Sequence, residues 1–172
     1  MKRLCALFAV VCSLLCPQVM AQTYPSKPIR LIVPFAAGSG TDSVARVIAQ
    51  KLSERLKQQV VVDNKAGASA QIGAEFVSKA KADGYTLLMT TNTSHSANPS
   101  LFKTLRYDPL KDFTPIVRTG DLPFALVVNA NSPIKTVKDL IENARANPGK
   151  FSYATPNSTS LVSSETIRVM AK

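Results

Sequence analysis

His95 is the only histidine in the 172 residues, and that narrows the available chemistry at once. A serine, histidine and acid triad would have to run through it, yet no Gly-x-Ser-x-Gly elbow precedes a helix. The three cysteines, Cys5, Cys12 and Cys16, crowd the first residues, so a zinc site of the usual nitrogen and sulfur ligands is not expected. Asp108 with Asp112, and Asp139 with Glu142, sit among lysines at turn or helix-face spacing, the pattern of solvated surface rather than of an acid and base pair. No catalytic residue and no cofactor is assigned.

The remaining polar residues point to binding. Gly38-Ser39-Gly40-Thr41-Asp42-Ser43 matches the first two glycines of a dinucleotide fingerprint and departs at the third, where Ser43 stands. Asp63 lies where such a fold holds a ribose, so a nicotinamide-dependent oxidoreductase is one alternative; a ligand sensor or partner-docking protein is another. The turn lengthened by Pro34 to Ala37 argues against the dinucleotide, and no lysine follows Gly40 to complete a phosphate loop. Backbone amides at a helix start, with the positive end of its dipole, suit a small anion such as a carboxylate. Asn64 to Ser69 repeats the arrangement, Thr90 to Ser94 offers hydroxyls and an amide, and Thr155 to Ser160 is a fourth polar segment of the same type.

Those segments need a scaffold that presents them together. Ile29 to Val33, Val60 to Val62 and Tyr85 to Thr90 read as strands. Between them, Val44, Val47, Ile48, Leu52 and Leu56 mark one amphipathic helix, with Thr41 or Asp42 as its cap. Ile72, Phe76, Val77 and Ala80 mark another, with Ser69 as its cap. Strand, helix, strand, helix, strand predicts a parallel sheet, with its loops opening at one edge. Farther on, Ile116 to Arg118, Phe124 to Val128 and Phe151 to Ala154 read as extended pieces, Thr136 with Asp139 as a capping box, and Ser160 onward as a helix. The expected division is a signal segment over 1–21, a first α/β lobe over 22–122 lacking its C-terminal return, and the opening of a second lobe over 123–172.

Lys2 and Arg3 before the apolar run Leu4 to Cys16, then Ala21, form a secretory signal pattern with cleavage after Ala21. Its removal would take every cysteine and lower the formal charge from +10 to +8. The remaining basic residues are dispersed, which argues against nucleic acid and fits long-range attraction of a small anion.

The stretch Tyr24-Pro25-Ser26-Lys27-Pro28-Ile29-Arg30-Leu31-Ile32-Val33-Pro34-Phe35-Ala36-Ala37-Gly38-Ser39-Gly40-Thr41-Asp42, followed by Val61-Val62-Asp63-Asn64-Lys65-Ala66-Gly67-Ala68, Asp83-Gly84-Tyr85-Thr86-Leu87-Leu88 and Asp112-Phe113-Thr114-Pro115-Ile116, resembles the substrate-binding proteins of tripartite tricarboxylate transporters, the Bug-type receptors. The resemblance runs from Tyr24 to Lys172. It implies an α/β, periplasmic-binding-protein-like two-lobed fold, and a monomeric periplasmic receptor that captures a small organic acid and delivers it to a membrane permease. By position, Phe35, Ala36, Gly38, Ser39, Thr41 and Asp42, with Gly67, Ala68 and Ser69, would hold one carboxylate, largely through backbone amides. Thr91, Ser94 and His95 of the third loop, and Ala154, Asn157 and Thr159 of the second-lobe loop, would meet the rest of the ligand. The chain departs from the usual pattern at Ser39 and Ser69, where relatives commonly carry glycine. Relatives are also roughly twice as long, so this chain is expected to be an N-terminal portion.

Overall fold

The computed structural model describes residues 23–170. The export signal read over residues 1–21, its cleavage point and the three cysteines lie outside the described residues.

Three parallel strands form the sheet: β1 (Ile29–Val33), β2 (Val60–Asn64) and β3 (Thr86–Leu88), in the order β2-β1-β3. Ile29 pairs with Val60 and Leu31 with Leu87, so β1 is central and paired on both sides. Its near-continuous apolar sequence follows from that position, because Ile29, Ile32 and Val33 are completely buried and only Arg30 faces water. Each such side chain stabilises the fold by about 1.5–3 kcal/mol relative to exposure.

Helix α1 (Gly40–Leu56) packs on β1 and β2, and α2 (Gln71–Ser78) on β1 and β3. The face that α1 buries overlaps only in part with the stripe expected from its sequence, of which Leu52 and Leu56 pack against the core. Ala45 and Ala49 are buried, whereas Val47 is 61% exposed. The same shift occurs in α2, where Gly73 and Ala74 are buried and Ile72 and Phe76 are exposed. Small side chains let both helices approach the sheet closely, and Leu52, Leu56, Val62 and Leu87 close the edges of the core.

Both expected helix caps are corrected. Ser39, rather than Thr41 or Asp42, caps α1, its hydroxyl accepting from the Asp42 amide at 3.2 Å. Helix α2 has no side-chain cap, and Ser69 lies in the turn before it.

After β3 the chain forms a π-helical turn over Thr93–Ala97 and a short helix, α3 (Asn98–Leu101). Helix α4 (Val137–Ala146) carries the expected capping box, with Thr136 Oγ1 accepting from the Asp139 amide and Asp139 accepting from the Thr136 amide. Helix α5 (Ser158–Met170) starts two residues before Ser160, and Asn157 Oδ1 accepts from the Ser160 amide at 3.0 Å. The extended pieces expected at 116–118, 124–128 and 151–154 form no strand; among the described residues the ladder pairs involve only β1, β2 and β3. Val127 is 80% exposed there, so its apolar character has no sheet to join. Among the described residues, no helix is long and apolar enough to cross a membrane.

Candidate functional site

The parallel register carries the first two loops to one edge. The Lys65 amide donates to the Val33 carbonyl at 2.8 Å, extending the ladder one step past the strand ends and holding the start of each loop against the other. Asn64 then ties them together. Its Nδ2 donates to the Phe35 carbonyl at 3.1 Å and to Asp42 Oδ1 at 2.9 Å. Asp42 is buried and accepts two further bonds at Oδ2, from the Gly38 amide at 2.8 Å and from Arg46 Nε at 2.9 Å. Arg46, then the Gly38 amide and Asn64, stabilise the charged form and hold its carboxyl down at about 2. Asp42 is therefore a fixed anion that folds the first loop back on its own helix. Gly38 makes that fold possible with φ of +82°.

The second loop is held in a rarer conformation. Gly67 has φ of +130°, and Ala68, Ser69 and Ala70 follow at +45°, +53° and +69°, a single left-handed turn made without glycine. Each such residue costs on the order of 1–3 kcal/mol and persists only where surrounding contacts dictate it. One contact is the buried Asn98, whose Nδ2 donates to the Ser69 carbonyl at 2.8 Å. Another is Gly73, which sets α2 directly against Pro34: a Cβ at Gly73 would lie 2.6 Å from Pro34 Cβ and 3.0 Å from Pro34 Cα.

A cleft of about 320 Å³ opens between these loops and the start of α5. Pro34, Phe35 and Ala36 line it from the first loop, and Ala66, Gly67, Ser69 and Ala70 from the second. Thr155 to Ser158 and Leu161 close the opposite side. Of the residues expected from sequence, the structure brings Phe35, Ala36, Gly67, Ser69 and Asn157 to this cleft. Ser39, Thr41 and Asp42 lie behind it as cap and first helical turn, and Gly38 acts through its bond to Asp42. Ala68 lies in the left-handed turn, and Ala154 is exposed just before the lining segment.

The third-loop residues are engaged in packing. Ser94 is completely buried, its hydroxyl 2.8 Å from Thr90 Oγ1 and 2.8 Å from His95 Nδ1. The His95 ring meets Phe113 edge-on at 4.7 Å, and burial lowers its pKa. Thr91 Oγ1 accepts from the Thr93 amide at 3.2 Å. Thr159 reaches back across the cleft wall, donating to Asn92 Oδ1 at 3.0 Å and meeting Thr93 Oγ1 at 3.1 Å. Asp63, the ribose partner under a dinucleotide reading, is engaged by Arg30 at 2.6 Å and Lys65 at 3.7 Å. No group of three or more histidines, cysteines or carboxylates placed to hold a metal occurs among the described residues.

Sequence reasoning missed the residues that join these loops. Asn64 was legible only as part of a loop, and nothing in the sequence marked Asn98 or Tyr107 as joining the site. Tyr107 donates to the Ser94 carbonyl at 2.6 Å, and Ser158 donates to Asn98 Oδ1 at 2.9 Å. The available signal was polarity without an exposed setting: Asn98 and Ser158 are buried yet fully bonded. A second hollow, of about 430 Å³, lies between Leu101 and α5 and is walled by Leu161, Val162, Val169 and Met170. It has none of the loop backbone that gives the first cleft its polar character.

Comparison with known proteins gives this geometry a relationship. The tripartite tricarboxylate transporter family receptor profile matches residues 44–170. Protein BugT of Bordetella pertussis is 42% identical over 137 residues, which are 79% of this chain and 42% of BugT. The solved structure of R. palustris Rpa4515 with adipate is 39% identical, with a TM-score of 0.83 over 86% of this chain and 50% of that one. The periplasmic binding protein BugD is 31% identical, with a TM-score of 0.67 over 87% of this chain and 50% of its own. MatC from Rhodopseudomonas palustris with bound malate is 39% identical, with a TM-score of 0.52 over 54% of this chain and 31% of its own. The α/β fold is thus that of periplasmic binding proteins, and the chain spans about half the length of the relatives it matches. The chain belongs to the tripartite tricarboxylate transporter receptor family.

Proposed function

We propose that this chain supplies the carboxylate-holding part of an exported solute receptor, which captures a small organic acid and passes it to the membrane permease of a tripartite transporter. The observation that carries the reading is the cleft itself. Two tied βα loops meet the start of α5 around about 320 Å³, a volume suited to a small molecule. Backbone amides beside helix starts recognise an anion without a lysine or arginine in the lining. Adipate in Rpa4515 and malate in MatC support a dicarboxylate as the solute.

In this reading the first lobe runs over 22–122 and the second opens at 123–172, with Thr155 to Ser158 as its contribution to the cleft. Phe35, Ala36, Gly67 and Ser69 hold one carboxylate, and Asn157 meets the remainder of the solute. The receptor is a periplasmic monomer without catalytic activity, which agrees with membership of a receptor family and with His95 being bonded away from the cleft. The test is a thermal shift and titration calorimetry series on the full chain with adipate, malate, citrate, acetate and a nicotinamide dinucleotide. Stabilisation by one or more of the carboxylates is expected. Stabilisation by the dinucleotide alone, or by none, refutes the reading.

A further inference from the structure

Asn98 is completely buried, yet its side chain serves three separate parts of the chain. Nδ2 donates to the Ser69 carbonyl at 2.8 Å and lies 3.4 Å from the Tyr107 hydroxyl, while Oδ1 accepts from Ser158 Oγ at 2.9 Å. Ser69 and Ser158 stand on the two sides of the cleft. The Ser69 carbonyl, which can only accept, selects one orientation of the buried amide, because turning it over would set the Asn98 oxygen against the Ser69 oxygen. Its position is fixed from below, since Tyr107 is itself anchored on the Ser94 carbonyl at 2.6 Å.

The need for such a residue is visible in the second loop. Ala68, Ser69 and Ala70 hold positive φ without glycine, and α2 has no side-chain cap to organise the turn from within. A partner from outside must supply that order. Two further bonds, one from Thr159 to Asn92 Oδ1 and one between the Thr159 and Thr93 hydroxyls, seat the start of α5 beside the π-helical turn that leads into Asn98. The approach of Ser158 to Asn98 is therefore guided on a second line of contact.

We propose that Asn98 is a positioning residue that relays docking of the 154–160 segment to the left-handed turn, so that seating Ser158 fixes Ser69 in its binding conformation. The inference rests on the carboxylate reading of the cleft for its functional meaning, and on the hydrogen bonds alone for its mechanics. It makes capture cooperative between the two walls: the wall carrying Ser158 need not touch the carboxylate to strengthen the grip of the wall carrying Ser69.

The test separates these two levels. In the ligand-free full chain, amide hydrogen exchange is followed in Ser158→Ala and in Ser158→Thr, which keeps the hydroxyl. The amides of Ser69 to Gln71 are expected to exchange about tenfold faster in Ser158→Ala, in line with one lost buried bond, and to return toward wild type in Ser158→Thr. Exchange in α1 stays unchanged. In Asn98→Ala, measured far below its melting temperature so that a purely structural loss does not contribute, the dissociation constant for adipate or malate rises about tenfold. Unaltered exchange at Ser69 to Gln71 in Ser158→Ala overturns the relay, even if Asn98→Ala fails to fold. Absence of carboxylate binding by the wild type refutes the reading of the cleft, while exchange still decides the role of Asn98.

Discussion

Replacing Gly73 by alanine reverses the usual sign of a helical glycine substitution. In a free helix the change stabilises by about 0.8–1 kcal/mol. Here the added methyl would stand 2.6 Å from Pro34 Cβ, 3.0 Å from Pro34 Cα and 3.1 Å from the Lys65 carbonyl oxygen. Carbon atoms rest at about 3.5–4.0 Å, so α2 must retreat by roughly 1 Å or the strand end must give. Pro34 is buried and follows the fully paired β1, and two of the three obstructions are backbone atoms. Overpacking costs about 1–3 kcal/mol, and obstruction by backbone atoms puts this case at about 2–3 kcal/mol, which outweighs the propensity gain and leaves a net loss of about 1–2 kcal/mol. Urea unfolding followed by far-ultraviolet circular dichroism reads that loss as a midpoint lowered by about 0.5–1 M. Gly40→Ala is the contrast, because its methyl would meet only the tip of Leu122, at 3.6 Å and 3.7 Å, and its midpoint should hold or rise. A Gly73→Ala midpoint at or above wild type would refute the close-approach reasoning. The retreat of α2 also widens the cleft between Pro34 and Ala70, so carboxylate affinity should fall with stability.

Three further outcomes follow from the bonds around the loops. The folded state holds the Asp42 carboxyl at about 2, below its ordinary 3.8, so the stability it contributes is complete above that ordinary value and is lost as pH falls through about 2. Stability measured against pH should therefore separate wild type from Asp42→Asn by a constant amount at neutral pH, with the gap closing between those two values. Asn64→Ala strips a partner from both Asp42 Oδ1 and the Phe35 carbonyl; denaturant titration should show a loss of about 1–3 kcal/mol, and calorimetry a weaker carboxylate affinity. Thr136→Ala removes the cap of α4, which lies away from the cleft. It should cost about 1 kcal/mol locally, seen as faster exchange at the Lys138 and Asp139 amides with carboxylate affinity unchanged.

Strand β1 was legible because burial on both faces writes a strand as a nearly continuous apolar run, broken in Ile29 to Val33 only by Arg30, and its bounds needed no adjustment. The longer helices were equally legible, but their buried faces were legible only in part, through residues such as Leu52 and Leu56. Periodicity weighs a valine above an alanine, whereas packing close to a parallel sheet selects Ala45, Ala49, Gly73 and Ala74, whose smallness sequence patterning counts as weak signal. The loops at the sheet edge could be placed by their glycines and hydroxyls. What tied them could not, since Asn64, Asn98 and Tyr107 act across 29, 60 and 13 positions of chain, a separation no local pattern records. The apolar pieces at 116–118, 124–128 and 151–154 have strand composition without neighbours to pair with among the described residues, and composition alone cannot supply a ladder.

The Asn64 and Asp42 staple has a kinetic consequence. The first loop and the start of the second are bonded to each other by protein groups alone, so the entropy of ordering that part of the wall is spent during folding and not at the moment of capture. In the proposed reading, a solute arriving at the cleft meets a first loop already held in place, while the left-handed turn that carries Ser69 waits on the seating of Ser158. The speed of the first encounter then depends on diffusion and on the salt-sensitive pull of a net positive surface. Mutations in the staple should accordingly slow association, whereas changes on the α5 side should be felt in how long the solute stays.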